Sequence, residues 1–374
     1  MLSGESKSSD IQISVSESIN EATKYLMQTM PKLRMIGLGV NDPKRIFGTT
    51  RTLLEEFGKD RVMDFPTSEN AMLGYTIGLA INGIPSISVH QRFDFLLLAM
   101  DQLVNNAAKW YYMFGSRQSV PIVIRVVVGK GWGQGPTHSQ SFHAWLSHVP
   151  GLKVVMPHDV QSAYELLIKS VYDPNPIIYI EHRWIHDQLG SLRRPIEILD
   201  PDFRLTPTSN VEIVGKPAVT VVTFSYITTR VKSLYKNLQR VGVGIEHVIL
   251  ETIKPYDLNS IKKSIDRTGA LLVLDFAPST NSFAKEVVAQ LVLSSGTSLT
   301  KAPRILSHPD IIEPTSFFLT KNLYFNDRMI FEEIVTLAGF DISDSNFRDE
   351  QVLIERRLEE LPHDVPNSYF KGPF

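Results

Sequence analysis

The stretch Asp64-Phe65-Pro66-Thr67-Ser68-Glu69-Asn70 decides how the fold is interpreted, because it places a carboxylate where a loop meets a predicted helix. Ser68 has the type of side chain preferred at a helix N-cap. The dipole of a helix favours an acid such as Glu69 in the first turn. A helix cap is therefore the simplest interpretation of the stretch taken alone, and the surrounding sequence indicates whether Glu69 has a further role.

The composition is typical of a globular protein. The 374 residues include 43% hydrophobic and 21% charged residues, and a chain of this length predicts two domains. Lys and Arg number 38 against 40 Asp and Glu, so no basic excess indicates nucleic acid or an anionic membrane as a partner. The chain has no cysteine, which excludes disulfides and thiolate chemistry. No apolar run reaches about 18 residues, and we expect a cytoplasmic protein without a membrane span.

Strand and helix patterns alternate through the first half of the chain. A flexible lead is predicted over residues 1–13, helices over 15–30, 95–114 and 160–171, and strands over 33–40, 84–90, 121–128, 152–156 and 177–180. The run PIVIRVVV (121–128) is typical of a strand that is covered on both faces, as in parallel sheets. Asp159 is the predicted N-cap of the helix over 160–171, which joins two strands and predicts a right-handed parallel crossover.

A glycine-rich loop, GKGWGQGPTHSQ (129–140), follows the strand over 121–128. Its spacing is not that of a dinucleotide-binding fingerprint, and no Gly-Lys-Ser/Thr follows. We interpret it as a mobile loop at an active site or an interface.

Five segments are predicted along the chain. They are a lead and helix over 1–30, an α/β domain over 31–190, a linker over 191–212, a second α/β domain over 213–340 and a C-terminal extension over 341–374. The extension contains a charged helix pattern over 348–361 and lacks the apolar content to fold alone. We expect it to pack on a partner or on the second domain, with disorder as the alternative.

Three motifs in a fixed order carry a resemblance to a known family. They are SENAMLGYTIG (68–78), RFDFLLLAMDQLVNNAAKWYYMFG (92–115) and THSQSFHAWLSHVPGLKVVMP (137–157). The sequence resembles the β subunit of the thiamine-diphosphate-dependent decarboxylating component of 2-oxoacid dehydrogenases, which belongs to the transketolase superfamily. The resemblance implies the α/β thiamine-diphosphate-binding fold, with a pyrimidine-type parallel-sheet domain followed by a transketolase C-terminal-type domain.

The resemblance also implies roles for individual residues. Glu69 matches the glutamate that hydrogen-bonds the aminopyrimidine ring of the cofactor and helps the cofactor to lose a proton. Phe95 matches the aromatic residue that stacks on that ring, and His138 matches a histidine that faces substrate and acyl acceptor. Asp101 matches an interior acid that connects paired active sites, so it is expected near the cofactor.

Other parts of the site are implied to lie elsewhere. The sequence has no Gly-Asp-Gly with a downstream Asn, the pattern that holds the diphosphate through Mg²⁺ in this superfamily. An α-type partner subunit is therefore expected to supply that half of the site, in an α2β2 assembly with a lipoyl acyltransferase as the acyl acceptor. Asp173 and Asn175 match a loop that binds a structural potassium ion in some members.

The sequence departs from the family pattern at several positions. Leu38 stands where the family usually has an acid that lines the active site, and Gln91 and Arg92 precede the stacking Phe95. Arg92 is interpreted either as a cation that suits an anionic or phosphorylated substrate or as a salt-bridged structural residue. These three positions are candidates for the substrate pocket.

Three functions remain open at this point. The first is the β subunit of a 2-oxoacid dehydrogenase, and the second is a two-subunit enzyme that transfers a ketol or acyl unit to an aldehyde or sugar. The third is a scaffold without catalysis, which the joint presence of Glu69, Phe95 and His138 argues against. His182 and His186 are four positions apart, but they follow a predicted strand and do not form the helical zinc motif His-Glu-x-x-His, so we interpret them as structural.

Overall fold

The structure is a computed structural model that describes residues 11–131, 133–193, 198, 200, 202–294, 296, 298–320 and 323–359. The strands are β1 (Ile11–Ser14), β2 (Arg34–Gly37), β3 (Val62–Asp64), β4 (Ser86–His90), β5 (Ile122–Val128), β6 (Lys153–Val155), β7 (Ile177–His182), β8 (Leu189–Leu192), β9 (Ser209–Val214), β10 (Pro217–Phe224), β11 (Gly244–Leu250), β12 (Thr252–Lys254), β13 (Leu271–Pro278) and β14 (Arg304–His308).

The α-helices are α1 (Val15–Thr29), α2 (Leu53–Phe57), α3 (Glu69–Ile81), α4 (Phe93–Leu96), α5 (Ala108–Met113), α6 (His143–His148), α7 (Val160–Tyr172), α8 (Ile227–Ser233), α9 (Tyr235–Arg240), α10 (Leu258–Thr268), α11 (Phe283–Leu293), α12 (Phe317–Thr320), α13 (Asp327–Ala338) and α14 (Ser345–Glu359). Short 3-10 turns cover Leu97–Ala99 and Arg183–Ile185, and a π-helical segment covers Gln102–Ala107.

The first sheet has seven strands in the order β12-β6-β7-β5-β4-β2-β3. All neighbouring pairs from β6 to β3 are parallel, and only β12 runs antiparallel, against β6. Strands β4, β5 and β7 are buried along their whole length, because helices cover both faces of a parallel sheet. The predicted parallel-sheet domain is confirmed.

The second sheet has five strands in the order β14-β13-β10-β11-β9. Three of its four pairings are parallel, and the edge strand β9 runs antiparallel to β11. The amphipathic helix α10 packs on β10 and β11 through Ile261 and Ile265, which are both fully buried. This α/β unit corresponds to the predicted transketolase C-terminal-type domain.

Asp159 caps α7 as predicted, because its carboxylate accepts a hydrogen bond of 2.8 Å from the Ser162 backbone N–H. The prediction of one continuous helix over 95–114 is wrong in detail. The backbone passes through α4, a 3-10 turn, the π segment and α5 in succession. A π segment inserts an extra residue into the helical repeat, so the helix pattern in the sequence could not show the interruption.

Two predicted segments have more structure than the sequence indicates. Strand β1 pairs with β8 in a two-stranded antiparallel sheet, so the flexible lead is wrong for residues 11–13, while residues 1–10 lie outside the described residues. The end of β8 and the start of β9 both enter the predicted linker over 191–212. Strand β12 also leaves the second unit and joins the edge of the first sheet. The five predicted boundaries themselves stay a prediction.

The described part of the C-terminal extension packs on the second unit of this chain. Helix α14 lies against α13 and buries Phe347 and Ile354. The amide of Asn237 donates a 2.6 Å hydrogen bond to the carboxylate of Glu350 on α14. Of the predicted alternatives, packing on the second domain therefore holds for residues 341–359, and the tail over 360–374 lies outside the described residues.

Candidate active site

The candidate residues lie after the carboxyl ends of neighbouring parallel strands. Glu69 follows β3, Phe95 follows β4, and His138 follows β5. Strand β2 lies between β3 and β4, and β5 pairs with β4, so all three loops leave the same edge of the sheet. Ligands of open α/β sheets bind at this edge. The topology therefore gathers residues that are up to 69 positions apart in the sequence.

Glu69 begins α3 and is only 6% exposed. Its carboxyl group makes no hydrogen bond with any other residue that the structure describes. Ser68 occupies the N-cap position as expected, but its side chain makes no capping hydrogen bond, so that part of the helix-cap interpretation is wrong. The helix therefore provides the Glu69 carboxyl group with no hydrogen bond, and the role of this residue stays a prediction.

Asp64, at the start of the same stretch, stabilises the neighbouring loop instead. Its Oδ1 atom accepts hydrogen bonds from the backbone N–H groups of Gly39 at 2.8 Å and Val40 at 3.2 Å. Asp64 thus fixes the chain where it leaves β2. Leu38, which comes just before this turn, is half-buried.

A cavity of about 370 Å³ opens at this edge of the sheet. It is lined by Asp42, Lys44, Ile46, Phe47, Gln91, Arg92, Phe95, Gly133, Gln134 and His138. The rings of Phe95 and His138 meet edge to face, with 5.4 Å between their centres. The structure therefore brings together Phe95, His138, Gln91 and Arg92. Neither Leu38 nor Glu69 lines this cavity, and Glu69 begins α3 in the connection that leaves β3 at the same edge of the sheet.

Arg92 is the most deeply buried cation of the cavity wall, at 5% exposure. Its Nη2 atom donates a 2.7 Å hydrogen bond to Gln134, and its guanidinium carbon lies 5.4 Å from the centre of the Phe47 ring. Burial, together with the nearby charge of Arg183, lowers the pKa of Arg92 to about 10. The nearby carboxylate of Asp94 opposes this lowering of the pKa, but within the described residues no carboxylate lies within ion-pair distance of Arg92, so the structure shows no salt bridge for it.

Asp94 is a site residue that the sequence reasoning missed. It lies between Phe93 and Phe95, and its Oδ1 atom accepts a 2.7 Å hydrogen bond from the side chain of Gln140. Burial raises the pKa of Asp94. The contact joins α4 to the His-Ser-Gln motif, of which Gln140 is the last residue. An acid between two aromatic residues was the available signal in the sequence.

In the single chain Asp101 lies at the surface and not in the interior, so its expected place between paired active sites stays a prediction. Asp101 is exposed, and its Oδ1 atom accepts a 2.8 Å hydrogen bond from Asn105 on the next helical turn. The apolar face of the helical segment is occupied by Leu96, Ala99 and Leu103, which are fully buried. Asp101 lies on the opposite side of that segment, away from the cavity lining.

The donor set at Asp173 and Asn175 does not fit the predicted potassium ion. The Nζ atom of Lys153 lies 2.6 Å from Asp173 Oδ2, and Oδ1 of Asp173 accepts from Asn175. The backbone N–H of Leu205 also donates to Oδ2 at 2.6 Å. The ammonium group of Lys153 already neutralises the carboxylate, so this loop offers a cation no free charged ligand.

The glycine-rich loop is anchored at its start by Lys130, which is almost fully buried between the two sheets. Its Nζ atom donates to the carbonyl oxygen of Phe276 at 2.8 Å, contacts the His308 ring at 2.9 Å and lies 3.9 Å from Glu313. Burial lowers the pKa of Lys130 to about 8. Since the later residues of this loop line the cavity, contacts between the sheets position that wall.

The histidines of β7 and α6 have structural partners. His186 lies 3.2 Å from Glu181, and the His182 ring packs 4.1 Å from the Tyr226 ring, centre to centre. His143 contacts Asp275 on β13 at 3.1 Å. Across the described ranges no three potential metal-binding side chains (His, Cys, Asp or Glu) cluster. No described helix is long and apolar enough to cross a membrane.

Two family descriptions cover most of the chain. "Transketolase, pyrimidine binding domain" matches residues 11–185, and "Transketolase, C-terminal domain" matches residues 210–328. A solved structure titled "Split gene transketolase, inactive beta4 tetramer" superposes on 91% of this chain and 99% of its own, with a TM-score of 0.64 and 17% sequence identity. At that identity the likeness concerns the fold. The two sheets and the site at the first sheet's edge thus define a thiamine-diphosphate-binding protein of the transketolase class.

Sequence relatives specify the family further. The chain is 33% identical to the 2-oxoisovalerate dehydrogenase subunit beta 2 of Arabidopsis thaliana, over 74% of this chain and 75% of the relative. It is 31% identical to the acetoin:2,6-dichlorophenolindophenol oxidoreductase subunit beta of Cupriavidus necator, over 82% and 91%. With the pyruvate dehydrogenase E1 subunit beta of Rhizobium meliloti the identity is 32%, over 75% of this chain and 60% of that one. The chain belongs to the family of E1 β subunits of thiamine-diphosphate-dependent 2-oxoacid dehydrogenases.

Proposed function

We propose that this chain is the β subunit of a heteromeric enzyme that decarboxylates a 2-oxoacid and transfers the acyl unit, with Glu69 activating the cofactor. The observation that carries the proposal is Glu69, a buried residue whose carboxyl group has no hydrogen-bond partner among the described residues. It follows β3 at the sheet edge where Phe95 and His138 line a cavity. A core residue of this kind would normally have an internal partner. The relatives named as dehydrogenase β subunits support the class of enzyme.

The residues present fit the pyrimidine half of thiamine diphosphate. Phe95 offers an aromatic face in a cavity of about 370 Å³ that can take the ring. Glu69 offers a carboxyl group that, when protonated, can donate a hydrogen bond to a nitrogen of the ring. When bound, the cofactor supplies a carbon nucleophile and a sink for the electrons of the broken bond. His138, half-buried at the cavity wall with its Nδ1 atom 3.1 Å from the Thr137 hydroxyl, is placed to exchange a proton with substrate.

The diphosphate and its Mg²⁺ ion are proposed to bind mainly to an α-type partner subunit in an α2β2 assembly. No described cluster of acidic or histidine side chains in this chain offers the ion a site. A lipoyl acyltransferase is the proposed acyl acceptor. The cytoplasmic location also stays a prediction, because the Arabidopsis relative is named as a mitochondrial protein.

The test is co-expression with a candidate α-type chain from the same organism, followed by cofactor titration and assays with a panel of 2-oxoacids and an artificial electron acceptor. We expect cofactor-dependent decarboxylation and a loss of about 10²- to 10⁴-fold in kcat for Glu69→Gln, because a positioned proton donor contributes about that factor. Glu286→Gln, at an exposed position on α11, is the matched control. Turnover that survives Glu69→Gln would show that the central assignment is wrong.

A second candidate function is transfer of a ketol or acyl unit to an aldehyde or sugar. Arg92 favours it, since a buried cation without a carboxylate partner suits an anionic or phosphorylated acceptor. The same preparation distinguishes the two functions. A ketol product with an aldehyde present indicates transfer of the second kind, whereas acyl transfer to a lipoyl group indicates the first.

A further inference from the structure

We propose that Arg92 binds an anionic group, a carboxylate or a phosphate, at the end of the substrate that is remote from the reacting carbonyl. The inference rests on the proposed function and adds the class of substrate. Arg92 shares the cavity with Phe95 and His138, so one molecule can reach the reactive end of the site and this guanidinium together. The family relationship does not supply this group, because the position stands among the departures from the family pattern.

The hydrogen bonds of Arg92 are incomplete. Its Nη2 atom donates to Gln134, while its Nη1 atom is buried and has no partner among the described residues. An arginine offers five N–H donors in a rigid fork that matches the oxygens of a carboxylate or phosphate. A buried charge without an ion-pair partner is costly, and the charge of Asp94, which raises the pKa of Arg92, does not offset the effect of burial. An anionic ligand would complete both the hydrogen bonds and the charge balance.

Charges around the cavity favour an anion. Lys44 is exposed at the cavity wall and adds a second positive charge, while Asp42 is the single acid among the lining residues given above. The side chain of Gln91 donates to Asp42 at 3.4 Å, and Asp42 makes no ion pair with Arg92. Two cations against one acid leave the wall with a net positive charge, which attracts an anionic substrate.

The Phe47 ring brings two guanidinium groups to one place. The guanidinium carbon of Arg183 lies 5.0 Å from the ring centre, and that of Arg92 lies 5.4 Å from it. The ring attracts both cations, but it does not neutralise them. Arg183 has a carboxylate of its own, since Asp187 lies 3.2 Å away. Arg92 has no such ion pair, so its charge is repelled by Arg183 without compensation. An anion bound at Arg92 would offset this repulsion.

The loop that carries Phe47 has an unusual backbone. Arg45, Ile46 and Phe47 have φ angles of 51°, 47° and 58°, so three consecutive non-glycine residues adopt the left-handed conformation. Such conformations cost free energy and cluster at functional sites. Ile46 and Phe47 line the cavity. The strained turn therefore holds the ring over Arg92, which agrees with a site shaped for a ligand.

Binding to the assembled enzyme tests the proposal directly. Succinate, inorganic phosphate and succinamide are titrated calorimetrically into the enzyme with wild-type, Arg92→Gln or Arg304→Gln β chains. Arg304 is 53% exposed on β14 and controls for loss of one positive charge. We expect at least one of the two anions to bind to wild type. Its affinity should fall about tenfold or more in Arg92→Gln and should stay unchanged in Arg304→Gln. The preferred anion distinguishes carboxylate from phosphate. Equal binding by all three proteins, or binding of succinamide alone, would overturn the proposal.

A kinetic comparison separates this proposal from the proposed function. The donors 2-oxoglutarate and 2-oxopentanoate have the same length and differ in the charge of the remote end, as do glyceraldehyde 3-phosphate and glyceraldehyde as acceptors. In one of the two pairs, Arg92→Gln should lower kcat/KM for the anionic member about tenfold or more and leave kcat/KM for the neutral member nearly unchanged. An equal loss for both members would indicate a structural role and overturn the proposal. Arg92-dependent anion binding without any turnover would support the anion site and count against the proposed function.

Arg92→Lys provides the check on folding. It keeps the positive charge and removes the planar fork, so the enzyme should fold and show anion binding between that of wild type and Arg92→Gln. Circular dichroism and the thermal midpoint are measured for each protein. Anion-dependent stabilisation that is as large in folded Arg92→Gln as in wild type would also overturn the proposal.

Discussion

The Nζ atom of Lys130 donates a 2.8 Å hydrogen bond to the carbonyl oxygen of Phe276, and this bond joins the glycine-rich loop of the first sheet to β13 of the second. The same ammonium group lies 4.9 Å from the centre of the Tyr324 ring. A charge thus sits in a mostly aromatic environment between the two halves of the chain. The free energy of unfolding should respond to its protonation.

Replacement of Lys130 by Met should change how stability depends on pH. Burial lowers the pKa of Lys130 to about 8 in the folded chain, against 10.5 for an ordinary lysine. Between pH 8 and 10.5 the unfolded chain therefore binds more protons, and the free energy of unfolding rises with pH. From pH 7.5 to 10, wild type should gain up to about 3 kcal/mol relative to Lys130→Met.

Urea unfolding at several pH values measures this gain, with Lys285→Met at an exposed position of α11 as the control. The Lys285→Met curve should run parallel to that of wild type. Parallel curves for wild type and Lys130→Met would contradict the prediction.

Asp275→Asn should weaken the contact between α6 and β13. Burial raises the pKa of Asp275, but His143 and the backbone N–H groups of Ala277 and Ala284 lower it more, so the pKa lies below its usual value. Its stabilising effect is complete above about pH 4 and is lost as the pH falls through the folded pKa. The substitution should cost about 2–3 kcal/mol at pH 7, and the cost should shrink below pH 4.

Denaturant midpoints at pH 7 and pH 3 check this prediction. Asp266→Asn removes a carboxylate at an exposed position of α10 and should leave both midpoints nearly unchanged. A cost for Asp275→Asn that is the same at pH 3 as at pH 7 would indicate that the carboxylate charge does not matter.

Gly151→Ala should destabilise the chain more than Gly83→Ala. Both glycines have positive φ angles, 97° and 74°, so an alanine is strained at either position. A Cβ atom at Gly151 would lie 1.9 Å from the carbonyl oxygen of Ala108 at the start of α5, whereas one at Gly83 meets no atom within 4 Å. Gly83→Ala therefore measures the strain of a positive φ angle alone, whereas Gly151→Ala adds the clash with the neighbouring backbone. We expect a cost of about 1 kcal/mol for Gly83→Ala and at least about 2 kcal/mol more for Gly151→Ala.

Thermal unfolding of the two glycine variants provides the measurement. Equal midpoints would mean that α5 moves away from residue 151 at little cost, and the close approach of the two segments would then carry no stability.

Ile354→Ala should show whether α14 contributes to the second unit. Ile354 is 1% exposed against the rest of that unit, while its neighbour Leu353 is 46% exposed. Removing a buried isoleucine side chain costs about 2–5 kcal/mol, and the exposed leucine should cost less than about 1 kcal/mol. Chemical denaturation compares the two variants. Similar small costs would mean that α14 detaches without unfolding the rest of the unit.

Much of the fold and the order of the site residues could be predicted from the sequence. The β-branched run of β5 and the Asp159 cap indicated a parallel sheet with crossovers, and the spacing of Glu69, Phe95 and His138 matched a known family. The structure places those three residues at one edge of the sheet. Their catalytic roles stay a prediction.

Other features depend on contacts that no local pattern encodes. The missing counterion of Arg92 and the ammonium group of Lys153 at Asp173 both follow from which side chains meet in space. Strand β12 pairs with a strand almost one hundred residues earlier, and the return of the chain to the first sheet has no signal in its three residues.

The pairing of β12 with β6 has a consequence for any attempt to divide this protein. A chain ended before Thr252 would lose the strand that covers the edge of β6 and would leave the N–H and C=O groups of that edge unpaired. Uncovered strand edges recruit other chains and promote aggregation. An expression fragment that stops at the end of the first sheet's own sequence should therefore precipitate. A fragment that extends through residue 257 would close that edge but would leave β10 without its partner β13, so neither sheet can be expressed alone without an open strand edge.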